Sequence, residues 1–273
     1  MENPLGQRVT YTDIYQPDLL CSLPRAAMRQ ALGIGSEADV PFQGVDIWTC
    51  YEVSWLNGKG KPDTAVVEIQ IPCASEYMVE SKSVKLYLNS LNGTRFDSCA
   101  EVIQTIASDV RVATRSAVVV KVVDVSSAPG SNCCGTSLDD LDLDITEYTP
   151  NPELLRYDPS RQGEDVVVTE SVYSHLFKTN CPVTGQPDWA TIYITYQGAP
   201  IDKAALLRYL ISYRRHQGYH EQSVEQIYMD VTQRLQPACL TVFARYTRRG
   251  GIDINPFRSN FESAPTPGRT FRQ

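Results

Sequence analysis

Apolar and polar positions alternate with the period of a half-buried strand over Thr64 to Ile71. They do so again over Trp189 to Tyr196, where Ala190, Ile192 and Ile194 interleave with Thr191, Tyr193 and Thr195. A helical stretch follows each. Further on, Ser98-Cys99-Ala100-Glu101 has the S-x-x-E form of a capping box and predicts the start of a helix with Val102, Ile106 and Val110 on one face. Val224, Ile227, Tyr228, Val231 and Leu235 make the corresponding stripe in the second half. β-rich runs close both halves, Ser116 to Val125 and Leu240 to Tyr246. Each half therefore reads strand, helix, helix, strand.

The halves also align when the chain is slid on itself by about 122 residues. Glu80-Ser81-Lys82-Ser83-Val84-Lys85-Leu86-Tyr87-Leu88-Asn89-Ser90 falls on Asp202-Lys203-Ala204-Ala205-Leu206-Leu207-Arg208-Tyr209-Leu210-Ile211-Ser212, keeping an acid, a Tyr-Leu pair and a Ser. Between them, Ser126 to Asp144 is rich in Ser, Gly and Asp and is expected to be an exposed crossover, so the domains are expected to be 1–135 and 136–273. Outside the repeats, Asp18 to Gly33 is expected to be a helix with an apolar face on the body. Glu164 to Phe177 reads as a strand around Val166, Val168 and Val172, and Ser259 to Gln273 as an irregular extension.

The 273 residues, 42% apolar and 21% charged, suit a globular protein with a sizeable core. No run nears the roughly 20 apolar residues of a membrane span. Met1 to Gly6 lacks the basic-then-apolar pattern of a secretory signal, so the expected location is the cytoplasm. Asn92-Gly93-Thr94 is then read as a turn rather than a glycosylation site. With 25 Lys and Arg against 32 Asp and Glu, the net charge of -7 disfavours long nucleic acid as a partner and favours a small molecule. Eight scattered cysteines without a C-x-x-C pair, in a reducing compartment, argue against a disulfide framework or structural zinc.

Two loose motifs fail on context. Gly33-Ile34-Gly35-Ser36-Glu37-Ala38 fits a dinucleotide fingerprint but follows an expected helix instead of a strand. His216 and His220 have the spacing of helical zinc ligands, yet Gly218 lies between them and the acid of H-E-x-x-H is missing, so no metal is expected. What remains is Cys181 in the run Phe177 to Ala190, where two prolines and a glycine keep it out of a helix or central strand. Asp188 follows seven residues later at the mouth of the next strand. A thiolate attacks an electrophilic carbon while a carboxylic acid supplies a proton to the atom that gains charge. On residues alone, a loop thiol beside a strand-capping carboxylate fits as well.

Glu80 to Tyr87, followed by Thr179-Asn180-Cys181-Pro182-Val183-Thr184 and Asp188-Trp189, resembles the long form of the NADPH-dependent 7-cyano-7-deazaguanine reductases, the nitrile reductases of queuosine biosynthesis in tRNA modification. Gly44 to Trp48, Tyr51-Glu52, Ser54 to Asn57, Tyr219-His220-Glu221 and Arg248-Arg249-Gly250-Gly251 extend the likeness over nearly the whole chain. The resemblance implies an α+β fold of tandem tunnelling-fold units, antiparallel sheets with paired helices on one face, and a homodimer. It implies four-electron reduction of the nitrile of 7-cyano-7-deazaguanine to 7-aminomethyl-7-deazaguanine through a cysteine thioimide. Cys181 would be the nucleophile, Asp188 the proton donor and His220 an aid to proton movement. Val79, Glu80, Ser81, His220 and Glu221 would hold the substrate, and Ser81, Lys82, Arg249 and Gly250 the NADPH, with Arg248 sharing the 2'-phosphate.

The second copy has Asp202 and Ala204 where the first has Glu80 and Lys82, so the halves are not equivalent and one site per chain is expected, drawing on both. Lys85, one helical turn beyond Lys82, reads as a solvated face residue. Cys133 and Cys134 receive no role. A cysteine hydrolase using Cys181, His220 and Asp188, and a binding unit of the same fold that holds a pterin or purine without catalysis, are the competing classes.

Overall fold

The computed structural model describes residues 11–124, 135–161, 166–266 and 268–273. Cys133 and Cys134 lie outside the described residues, as does the first part, 126–134, of the expected crossover. The fold is mixed α+β, with largely antiparallel pairing, and its contacts divide it into two compact units. Unit 1 comprises Met1–Asp39, Val45–Ala128 and Arg248–Ile254; unit 2 comprises Val40–Gly44, Pro129–Thr247 and Asn255–Gln273. The Arg248 to Gly251 turn thus packs in unit 1 although it lies late in the sequence.

In unit 1, β1 (Ser22–Pro24) leads into α1 (Arg25–Gln30), followed by β2 (Gln43–Leu56), β3 (Pro62–Pro72), β4 (Tyr77–Val79), α2 (Ser81–Ser90), α3 (Cys99–Thr114) and β5 (Val119–Val122). Antiparallel pairing joins β2 to β3 and β3 to β5, while β1 pairs with β4. Trp48 and Cys50 of β2 are buried, and after a register shift between Cys50 and Val53 the buried positions become Val53 and Trp55. That bulge inserts one residue and so changes which side of the strand meets the core. Val67, Ile69 and Ile71 of β3 pack with Tyr87 and Leu91 and with the α3 stripe Val102, Ile106 and Val110.

The expected helix over Asp18 to Gly33 is much shorter. Only Arg25–Gln30 is α-helical, and its buried residues are Arg25 and Arg29 rather than an apolar face. Arg25 pairs with buried Asp46 at 2.5 Å, and Arg29 donates to the Cys73 carbonyl at 2.7 Å. These partners offset the desolvation that a charged inward face would otherwise cost.

Unit 2 contains β6 (Thr136–Ser137), β7 (Val168–Ser174), β8 (Lys178–Asn180), β9 (Pro187–Gly198), α4 (Lys203–Ser212), α5 (His220–Leu235) and β10 (Cys239–Tyr246), and it takes all but the first three residues of β11 (Ile252–Ser259). Antiparallel pairing runs from β7 to β9 to β10 to β11, with β8 also on β9 and β6 parallel to β7. The described part of the expected exposed crossover therefore carries a short strand, and Leu138 beside it is fully buried. Ile192, Ile194 and Tyr196 of β9 and Val242, Ala244 and Tyr246 of β10 are buried, as are Val224, Ile227, Tyr228 and Val231 of α5. The tail is irregular but held down: Gln273 is buried and bonds to the Tyr246 carbonyl at 3.2 Å.

The acid, the tyrosine and the serine kept between the two copies each have the same duty in their own unit. Glu80 caps α2, its two oxygens accepting from the Lys82 and Ser83 amides at 2.8 Å each, and Asp202 caps α4 by accepting from the Ala204 and Ala205 amides at 2.9 and 3.1 Å. The Tyr87 hydroxyl donates to Asp109 at 2.5 Å, and that of Tyr209 donates to Asp230 at 2.6 Å. The Ser90 and Ser212 hydroxyls each donate to the carbonyl of that tyrosine at 2.6 Å.

Candidate active site

β8 and β9 form a tight hairpin in which Thr179 faces Asp188 and Asn180 faces Pro187. The Cys181 amide extends this ladder by donating to the Gln186 carbonyl at 2.8 Å, and Gly185 returns a bond to the Cys181 carbonyl at 3.1 Å. The period of two then sends the Cys181 side chain to the same side as Thr179 and its opposite number Asp188. Residues 183–187 are exposed, whereas Cys181 and Asp188 at the loop's ends are 3% and 6% exposed. The Thr184 amide points at Cys181 Sγ at 3.5 Å.

The segment before α5 locks onto this hairpin. The Asn180 amide donates to the His216 carbonyl at 2.8 Å and the Gly218 amide to the Asn180 carbonyl at 3.1 Å. α5 then starts at His220, whose Nε2 lies 3.3 Å from Asp188 Oδ2. Glu221, the second residue of the helix, is buried at the end where the helix dipole favours a negative charge. Tyr246 of β10 is fully buried and lies flat on the His220 ring, with centroids 3.7 Å apart and planes 2° from parallel. Burial pushes the Tyr246 phenol up, with Asp188 and Glu221 adding to the shift, so it stays a neutral hydroxyl. Unit 2 thus gathers Cys181, Asp188, His220 and Glu221.

The other expected residues lie in unit 1. Val79 ends β4, Glu80 is fully buried in its capping role, and Ser81 and Lys82 open α2. Arg249 and Gly250 form the turn before β11, closed by a bond from the Arg249 amide to the Ile252 carbonyl at 2.9 Å. Arg248 stacks over Tyr51 at 4.7 Å. Beside this turn is a cleft of ≈ 410 Å³ whose lining includes Lys85, Glu52, Asn89, Gly250 and Gly251. Lys85 is half-buried against Gly250 instead of solvated: a Cβ on Gly250 would meet Lys85 Cε at 3.2 Å. Gly250 and Gly251 have φ of +61° and +77°, which suits glycine, and a Cβ on Gly251 would meet Glu52 Oε2 at 2.8 Å.

Residues 11–122 match the model of a family described as nitrile reductase, 7-cyano-7-deazaguanine-reductase N-term, and residues 187–265 match that of a QueF-like protein. The NADPH-dependent 7-cyano-7-deazaguanine reductase of Dechloromonas aromatica is 48% identical over 99% of this chain and 95% of its own length. The chain belongs to this family. The 7-cyano-7-deazaguanine reductase of Chromobacterium violaceum is 46% identical over 99% of this chain and 96% of its own. The crystal structure of the archaeosine synthase QueF-Like in the apo form aligns at a TM-score of 0.32 and 15% identity, covering 36% of this chain and 97% of that one. Asp188, His220, Glu221 and Tyr246 fall in the second matched segment and Glu80 to Lys85 in the first, while Cys181 falls between the two.

Tyr246 was not singled out by the sequence. Its signal was present only as an inward-facing position of a strand, and its meeting with His220, 26 residues earlier, depends on how α5 packs on β10.

Proposed function

We propose that this chain reduces the nitrile of 7-cyano-7-deazaguanine to the aminomethyl group of 7-aminomethyl-7-deazaguanine, with NADPH, through a thioimide on Cys181. The observation that carries the reading is the convergence of a buried thiol, met by a backbone N–H, with the Asp188–His220 pair. Family membership supplies the substrate class.

The Cys181 thiolate adds to the nitrile carbon, one C–N π bond becomes a nitrogen lone pair, and Asp188 gives that nitrogen a proton. A neutral thioimide results and nothing is expelled. His220, 3.3 Å from Asp188, is placed to return a proton to the carboxyl. Glu221 offers an acceptor pair to the ring N1–H and exocyclic amine, and a buried site makes such charge-assisted bonds selective. Glu80 has the same chemistry: Oε1 already accepts from the Lys82 amide and the Ser81 hydroxyl, while Oε2, bonded to the Ser83 amide, retains a further lone pair, and Val79 and Ser81 flank it.

The fit of NADPH rests on the unit 1 turn, where Lys85 packs against Gly250 and lines a cleft together with Asn89 and Gly251. Ser81, Lys82, Lys85, Arg249 and Gly250 would hold its phosphates, Arg248 sharing the 2'-phosphate. When bound, NADPH supplies hydride, two equivalents accounting for the four electrons of the reduction.

The same reading takes the fold as tandem tunnelling-fold units, the enzyme as a homodimer acting on a free base, and its setting as the cytoplasm, where a reactive thiol stays reduced. Absorbance at the nicotinamide band tests it. Addition of 7-cyano-7-deazaguanine should drive oxidation of two NADPH per aminomethyl product, and no consumption by a folded, reduced sample would remove the assignment.

A further inference from the structure

We infer that Tyr246 is a positioning residue that holds the His220 imidazole toward Asp188. Orienting histidines by a hydrogen bond to the second ring nitrogen is the usual arrangement. Here Nδ1 of His220 is buried and makes no hydrogen bond among the described residues, and Nε2 meets Asp188 only as an ion-pair contact at 3.3 Å. One such contact leaves rotation about it open. The Tyr246 ring closes off that freedom by lying parallel to the imidazole at 3.7 Å.

The tyrosine is itself braced from behind. Phe177, fully buried just before β8, meets Tyr246 edge-on at 6.3 Å and Tyr213 at 5.7 Å. Tyr213 in turn meets Tyr209 at 5.5 Å, and Tyr209 is tied to Asp230 of α5. An aromatic row therefore runs from the α4–α5 contact to the imidazole, crossing the base of the Cys181 hairpin. Packed rings carry few rotamers, which makes such a row a stiff backing for a group that must keep its plane.

The consequence for reduction rests on the function proposed above, but the geometry is read out independently by NMR. The chain has three histidines, so His220→Gln assigns the His220 ring protons directly. Stacked on a phenol, they should resonate well upfield of their ordinary positions, remain so in Tyr246→Phe, and return toward ordinary positions in Tyr246→Leu. Adduct formation between Cys181 and 7-cyano-7-deazaguanine without NADPH should slow about 10-fold to 100-fold in Tyr246→Leu. Tyr246→Phe should restore most of that rate, and substrate affinity measured in a Cys181→Ala background should change much less than the rate. Ordinary His220 shifts in the wild type, or a folded Tyr246→Leu enzyme that forms adduct at the wild-type rate, would overturn the inference. If the wild type forms no adduct, the nitrile reading fails, and the His220 shifts and their response to Tyr246→Leu still decide the positioning.

Discussion

His220 Nε2 stands 3.3 Å from Asp188 Oδ2, joining the first turn of α5 to the first residues of β9. Because β8 lies between β9 and the segment that leads into α5, this contact and the backbone bonds of Asn180 fix the Cys181 hairpin from two sides. Asp188→Asn keeps the shape but removes the carboxyl proton. The variant should bind 7-cyano-7-deazaguanine with near-normal affinity by calorimetry and form the covalent adduct slowly or not at all. A normal adduct rate in Asp188→Asn would place the proton donor elsewhere.

Substrate recognition is tested at the two acids. Glu221→Gln puts an amide where the ring presents donors and should weaken binding by about 2 kcal/mol or more. Glu80→Gln should weaken binding too, but it also touches the cap of α2, so its thermal stability should fall. Asp202→Asn, at the matching cap of α4, should leave affinity unaltered. Unchanged calorimetric affinity in both Glu variants would rule out the ring contacts.

The turn at Arg249 and Gly250, with Lys85 packed against Gly250 in unit 1, presents cations suited to the extra phosphate of NADPH. NADPH should be strongly preferred over NADH, and added salt should erode the preference. Equal kcat/KM for the two cofactors at low ionic strength would contradict this.

Burial pushes the His216 imidazole below its usual 6.5, because charging it beside β8 means desolvation. The unfolded chain therefore takes up that proton at higher pH than the folded one. The stability involved is present above pH 6.5 and is lost as pH falls toward the lower folded value. Urea midpoints should decline below pH 6.5 more steeply in the wild type than in His216→Gln, and parallel declines would refute the assignment.

Much of this was legible in the sequence because it is local. The S-x-x-E box does cap α3, with Ser98 accepting from the Glu101 amide at 3.2 Å, and the alternating runs are strands. The repeat was visible through an acid, a tyrosine and a serine, and each has a packing or capping reason to persist. Asp109 and Asp230 escaped notice because they are 121 residues apart, one short of the offset that aligns Tyr87 with Tyr209. The buried Arg25 and Arg29 were unreadable for another reason: patterning places charge outside, and only the distant Asp46 and the Cys73 carbonyl permit the reverse. Lys85 was misjudged likewise, since the turn that covers it comes 165 residues later.

The central claim is that Cys181 attacks the nitrile carbon, and intact mass spectrometry addresses it most directly. Addition to a nitrile expels nothing, so wild type incubated with 7-cyano-7-deazaguanine in the absence of NADPH should gain the whole substrate mass once. Peptide mapping should place it on Cys181, with the other seven cysteines unmodified, because generic thiol reactivity does not select a buried site. Cys181→Ala should gain nothing and should fail to oxidise NADPH. Equal labelling of wild type and Cys181→Ala, or nitrile reduction at a normal rate by Cys181→Ala, would contradict the account.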